Sequence, residues 1–249
     1  MNELSANILT EIGVTSPWIN APGFLGYLPP SKLDFPAEMG AFLPPPLSLI
    51  SRNPAKTRTA IPFGGGVLLR TGLPNPGIAV AIRQYQQRWS RLELPLWLSL
   101  LPRDADEARE MSELVDELDC AVTFQILLPR GASMQERAEI LSAAQGEKPF
   151  FVELPLDEVN RECVGVIQKS SASGIVISAP RGILLKDEQW VSGRLYGPAL
   201  FPQAARIVRE LVKAKISVIA GCGVCTIDQG ESLLAMGTIA VQVDVALWV

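Results

Sequence analysis

The chain has no histidine among its 249 residues. That absence removes the commonest general base near neutral pH and the commonest transition-metal ligand, so histidine-dependent triads and histidine-zinc centres are excluded. Cysteine is scarce as well. Its four cysteines, Cys120, Cys163, Cys222 and Cys225, are too few for a disulfide scaffold in a chain this long, and reduced thiols are expected. Long apolar stretches are missing: hydrophobic residues make up 48% of the chain, but charge, Pro or Gly interrupts every run well short of the roughly 20 residues that span a bilayer. No dense Lys/Arg patch interleaves with aromatics, and a net charge of −4 offers nucleic acid no overall attraction. The opening MNELSANILTEIG lacks a basic segment followed by an apolar core, so it does not read as a secretory signal, and a cytoplasmic location is expected.

What is present is alternation. Short apolar runs beginning near Trp18, Gly40, Pro95, Cys120, Pro149, Gly174, Ile216 and Thr238 alternate with amphipathic segments. This order of βα units predicts a (β/α)8 TIM barrel of eight parallel strands with outer helices, occupying residues 1–249 as one domain. Ala108, Met111, Val115 and Leu118 share one helical face, as do Ala204, Ile207, Val208 and Leu211. The first quarter is irregular: no clear helix follows Trp18, and the stretch LPPPLSLISRNP reads as loop. Residues 1–13 are expected to form a short helix plugging the lower end of the barrel. Gly64, Gly65 and Gly66 suit either a tight hairpin turn or close approach of backbone to a ligand.

In a barrel of this kind, chemistry belongs to the loops at the C-terminal ends of the strands. Along the last strand, Val241, Val243 and Val245 share one face and Gln242 and Asp244 the other. The polar pair is therefore expected to point into the lumen. By the same parity Thr123 pairs with Gln125, which with Glu153 makes the lumen mouth polar and acidic. These residues either form a satisfied network with Arg70, Arg181 or Arg194, or line an altered binding site. Gly221, Cys222 and Gly223, with Thr226 opening a helix, supply backbone donors suited to an oxyanion. Cys222 and Cys225 form a C-x-x-C at that helix N-terminus, which reads either as a redox pair or as two small residues in a turn. Of the five tryptophans, Trp190, together with Tyr196, is best placed to meet a ligand, and core or interface packing is the alternative.

The ordered segments NAPGFLGY, RTGLPNPG, FVELP, GRLYGPALFPQAARIV and VIAGCGVCTIDQGESLLAMGTIAVQVDVALW resemble the dihydroorotate dehydrogenase family over nearly the whole chain. The resemblance implies a flavin mononucleotide (FMN) held over the strand ends, with Ala21, Gly23, Gly197, Gly221, Cys222, Gly223, Thr226 and Asp244 at cofactor-contacting positions. It also implies dihydroorotate oxidation by a Cys or Ser base. The base position here is Leu128, which cannot accept a proton. The family's Thr-Lys pair falls on Pro44 and Pro45, its strand-five lysine on Glu153, and its substrate asparagines on Leu69, Gln125, Arg130 and Ala179. Gln125, Arg130 and Glu153 are thus the substrate-pocket candidates, and the lost amides argue against orotate. Val224 and Asp244 replace phosphate-loop residues. Two unit charges about 5 Å apart repel by roughly 3 kcal/mol at an effective dielectric of about 20. Asp244 therefore opposes a phosphate unless it is protonated, paired with an arginine or turned away.

Two functions follow. One is a divergent barrel that has lost dihydroorotate oxidation and binds a small molecule or a protein partner, with a homodimer among the expected assemblies. The other is an FMN-dependent oxidoreductase acting on a different small substrate.

Overall fold

The computed structural model describes residue 10 and residues 12–248. Eight short parallel strands form the barrel wall: β1 (Trp18–Asn20), β2 (Met39–Ala41), β5 (Leu96–Leu100), β6 (Ala121–Leu127), β7 (Phe150–Pro155), β8 (Gly174–Ser178), β11 (Val218–Ala220) and β12 (Ala240–Val243). They run in the order β2-β1-β12-β11-β8-β7-β6-β5. Single parallel bridges, Phe42 to Leu96 and Leu47 to Leu100, join the last strand to the first and close the cylinder. All eight begin where the apolar runs begin.

Alternation along each strand divides the core. Residues of one parity, among them Leu98, Phe124, Phe150, Val152, Ile175, Val241 and Val243, pack outward against the helices. Residues of the other parity, including Ile19, Ala41, Trp97, Phe151, Val176, Ile219 and Ala240, fill the lower lumen. The lumen is therefore packed with side chains and is no pore. Ile12 and Val14 join this lumen cluster from below. The expected plugging helix at residues 1–13 otherwise lies largely outside the described residues.

The outer helices are α1 (Ile78–Trp89), α2 (Ala105–Asp116), α3 (Met134–Ala143), α4 (Arg161–Gln168), α5 (Phe201–Lys213) and α6 (Ile227–Met236). Local side chains start four of them. Asp104, Ser133, Asn160 and Thr226 each accept the backbone N–H three residues on, which satisfies a donor that the helix leaves free. The stretch between β1 and β2 is a series of turns, as the sequence predicts.

Four further strands, β3 (Thr59–Phe63), β4 (Gly66–Arg70), β9 (Arg181–Lys186) and β10 (Gln189–Tyr196), form an antiparallel sheet in the order β3-β4-β10-β9. It is built from two excursions, one after β2 and one after β8. The Gly64–Gly65 pair turns the first hairpin, so the turn reading of the glycines holds. The ladder is tightest where Gly66 approaches the Tyr196 carbonyl, since a Cβ there would sit 2.1 Å from that oxygen.

Backbone crowding also fixes the first strands. A Cβ on Gly40 would lie 1.9 Å from the Ser16 carbonyl oxygen, and rigid backbone on both sides leaves no relaxation. We expect Gly40→Ala to destabilise the fold by about 2 kcal/mol or more, read as a lowered urea midpoint. An unchanged midpoint would contradict this packing.

Candidate active site at the barrel mouth

Above the apolar lumen layer the inward side chains turn polar: Ser99, Gln125, Glu153, Ser178 and Gln242 are all buried. The parity that puts Phe151 in the lumen puts Glu153 one layer higher, on the same side as Gln125 and Gln242. Arg194 reaches them from the antiparallel sheet. Its Nη1 donates to Glu153 Oε1 at 3.0 Å, with both side chains largely buried. Gln125 donates to Glu153 Oε2 at 2.8 Å, and Gln242 donates to Gln125 Oε1 at 2.7 Å. The result is a chain of four side chains across the mouth.

The network reading holds in part: of the three arginines considered only Arg194 takes part, and the buried Ser99, Thr123 and Ser178 hydroxyls and Asp244 Oδ2 have no partner among the described residues. Arg70 and Arg181 line a larger cavity that adjoins the mouth, the two spaces sharing Phe24, Arg194 and Tyr196. Burial alone would lower the Arg194 pKa, but the adjoining Glu153 carboxylate and Tyr196 outweigh it and push it above the ordinary arginine value. The mouth is therefore a neutralised ion pair, not an uncompensated acidic surface. The space left there, bounded by Ala21, Ala179, Tyr196, Gly221 and Asp244 among others, is about 30 Å³. That suits a water or two and is far below the several hundred Å³ that a ring-sized ligand occupies.

The structure brings Gly221 and Asp244 together in the lining of one small cavity at the strand ends, beside the turn that runs on to Thr226. Three of its amides are already engaged. Gln229 Oε1 accepts from the backbone N–H of both Cys225 and Thr226, closing a capping box with the Thr226 hydroxyl. The Gly221 N–H is bonded to the Ile177 carbonyl. Gly223 has φ +76° and comes so close to the Phe201 backbone that its lack of a side chain serves packing. Gly197, at φ +126°, does the same against the Gly64–Gly66 turn. Val224 is buried in the outer core.

Asp244 is 2% exposed, with Oδ1 accepting the Val245 N–H and Oδ2 left without a partner. No arginine pairs with it among the described residues. Burial raises its carboxyl pKa to about 7, partly offset by that N–H. The alternation argument carries one residue too far here, because Val245 leaves the strand and opens a 3-10 turn, Val245–Trp248. The cysteine pair is corrected too: burial and the nearby Asp244 raise both thiols, Cys225 to about 11, where a helix N-terminus alone would lower them. Redox reactivity loses its basis.

The remaining sequence candidates are dispersed. Leu128 packs in the outer core, and Arg130 is exposed in a groove beside Arg103 and Asp104, away from the mouth. Leu69 lines the outer cavity, while Ala179 lines the mouth. Gly23, at φ +86°, packs on Pro45 at the rim. Trp18, Trp89 and Trp97 are buried, whereas Trp190 and Trp248 are exposed. Sequence reasoning singled out Tyr196 but missed the aromatic wall it forms with Phe24 and Trp248. Phe24 lies 5.3 Å from Tyr196 and 4.7 Å from Trp248 between ring centroids, and the Trp248 indole N–H donates to the Phe24 carbonyl.

Two measurements follow from this electrostatic arrangement. Arg194→Met strands a buried carboxylate and should cost about 3–5 kcal/mol, much of it recovered in the Arg194→Met/Glu153→Gln double variant. Equal stabilities of the single variant and wild type in urea would show that the pair is not buried as described. For Asp244, the folded pKa lies above the ordinary 3.8, so between that value and about 7 the native state holds a proton that the unfolded chain has released. Stability then falls as pH rises through this window and levels off above it. Asp244→Asn should lack that decline and exceed wild type by a few kcal/mol at about pH 8. Parallel stability curves for the two proteins between about pH 4 and pH 8 would refute the shift.

No family model matches the chain. It is similar along most of its length to catalytic subunits of dihydroorotate dehydrogenase B (NAD(+)). The relative from Geotalea uraniireducens is 25% identical, aligned over 94% of this chain and 84% of its own length. That from Trichlorobacter lovleyi is 26% identical over 96% and 87%. Among solved structures, a dihydroorotate dehydrogenase from Eimeria tenella in complex with ferulenol superposes with a TM-score of 0.68, covering 94% of this chain and 76% of its own at 15% identity. In fold and in the order of its segments the chain is thus similar to dihydroorotate dehydrogenases, and it departs from the pattern that the resemblance implies at the barrel mouth.

Proposed function

We propose that this barrel does not oxidise dihydroorotate and that it works as a binding protein for a small ligand held outside the closed mouth. The observation that carries this reading is the buried Gln242–Gln125–Glu153–Arg194 chain, which leaves about 30 Å³ directly beside Glu153 and Asp244, the larger cavities meeting it only at its rim around Tyr196. The residues present do not fit the flavin that the resemblance implies. A base at Leu128 is chemically impossible and the side chain is buried in the core. Glu153 is committed to Arg194, and it would oppose the negative charge of a reduced flavin.

One feature favours the other reading, a flavin oxidoreductase with a changed substrate. Asp244, with its carboxyl raised to about 7, has the affinity of a general base suited to neutral pH. A cavity of about 640 Å³ bounded by Gly197, Thr226, Val245 and Trp248 adjoins it on the side where the resemblance expects the phosphate. Its walls are mostly apolar, and the Cys225 and Thr226 amides facing that region are capped by Gln229.

Purification without added flavin should give a colourless protein. Titrated with FMN it should show no shift of the flavin spectrum, and with dihydroorotate and an electron acceptor it should show no turnover above background. Stoichiometric flavin uptake with turnover would overturn the proposal and support the oxidoreductase.

A further inference from the structure

Between the barrel rim and the antiparallel sheet lies a cavity of about 670 Å³. Arg52, Arg58, Arg70 and Arg181 line it alongside the Glu153-paired Arg194, and among the described residues no Asp or Glu does. None of these four arginines is in a salt bridge with a described residue. Asp157 accepts from the Arg181 backbone N–H at 3.2 Å but stands outside the lining. Partial burial, then the neighbouring Arg130 and Arg194, lower the Arg181 pKa despite the opposing pull of Asp157, so the cations here outweigh the counter-charge. The crowding occurs in a chain whose net charge is −4, so positive potential is concentrated in one cleft against the overall sign.

The same cleft has aromatic walls. Strand register explains how ring and charge share it: Arg181 pairs with Arg194, and Arg194 with Leu69, so the three occupy one row of one face. Trp190 lies four residues before Arg194 on β10 and projects on the same side. It is 68% exposed, and Trp248 on the barrel side is 58% exposed. Both line the cavity. Large rings left in water at the rim of a cleft mark a contact surface.

We infer that this cavity binds a flat aromatic ring carrying two or more oxyanionic groups, with the arginine forks on the charges and Trp190 and Trp248 against the ring. The inference rests on the reading of the barrel as a small-ligand binder. Guanidinium forks match phosphate and carboxylate alike, and the volume is that of a typical small-molecule site. Arg194 is excluded from the contact because Glu153 already holds it.

The test is a titration of the intact protein followed by tryptophan fluorescence and calorimetry. The probes are adenosine diphosphate, benzene-1,3,5-tricarboxylate, pyrophosphate and adenosine. At least one ring-bearing polyanion should bind about tenfold more tightly than pyrophosphate or adenosine, with affinity falling as salt is raised. Whichever of adenosine diphosphate and the tricarboxylate binds better identifies the oxyanion as phosphate or carboxylate. In the Arg70→Gln/Arg181→Gln variant, whose altered side chains are exposed and whose melting temperature should be unchanged, affinity should drop about tenfold. Trp190→Ala should weaken binding less and remove much of the fluorescence change. The inference is overturned if no ring-bearing anion outbinds its ring-free or charge-free counterpart, or if the folded double variant binds as wild type does. A silent titration leaves the closed mouth standing, whereas flavin turnover would remove the proposed function without deciding this result.

Discussion

A carboxylate placed in a protein interior must find a counter-charge or give up its ionisation, and Glu153 finds Arg194. The partner comes from a different layer of the molecule: Glu153 sits on β7 of the barrel, Arg194 on β10 of the antiparallel sheet. Burying either alone would cost several kcal/mol, so the sheet and the barrel mouth are held in one geometry by the need to keep the two together. Gln125 and Gln242 complete the hydrogen bonding on the carboxylate side, which lets the pair stay dry. The closure of the mouth is thus a consequence of charge pairing.

The neighbouring turn shows the same tendency to satisfy itself. A helix N-terminus is an anion site because its first amides lack partners. Here Gln229 supplies one oxygen to the Thr226 amide and to that of Cys225 just before it, and the Thr226 hydroxyl serves the Gln229 amide. Asp244 then adds a carboxyl in a nearly dry position with one oxygen unpartnered. The glycines of the turn persist for another reason. Gly223 and Gly197 have positive φ and approach backbone too closely for a Cβ, so the fold requires them whether or not an anion is bound.

Charge is sorted across the rim. Inside the mouth the cation is consumed by Glu153; outside it four arginines line a cleft without acidic neighbours in its walls. Phe24, Tyr196 and Trp248 stand between the two regions as a contiguous aromatic wall.

The barrel was legible in the sequence because it depends on periodicity. Eight apolar runs gave eight strands, and the parity that set Gln242 and Asp244 opposite Val241 and Val243 follows from the alternation of any extended chain. The Asp104, Ser133, Asn160 and Thr226 caps are equally local, since each side chain reaches an amide only three residues away. Tertiary structure alone decided which arginine entered the mouth, because Arg70, Arg181 and Arg194 have the same chemistry and only the register of β4, β9 and β10 points one of them at Glu153. It also decided the thiol and carboxyl affinities: a helix N-terminus predicts a reactive cysteine, but the burial that reverses it is a property of the packed mouth. The aromatic wall joins residues more than two hundred positions apart, Phe24 and Trp248, and no spacing rule along a chain reports such a contact.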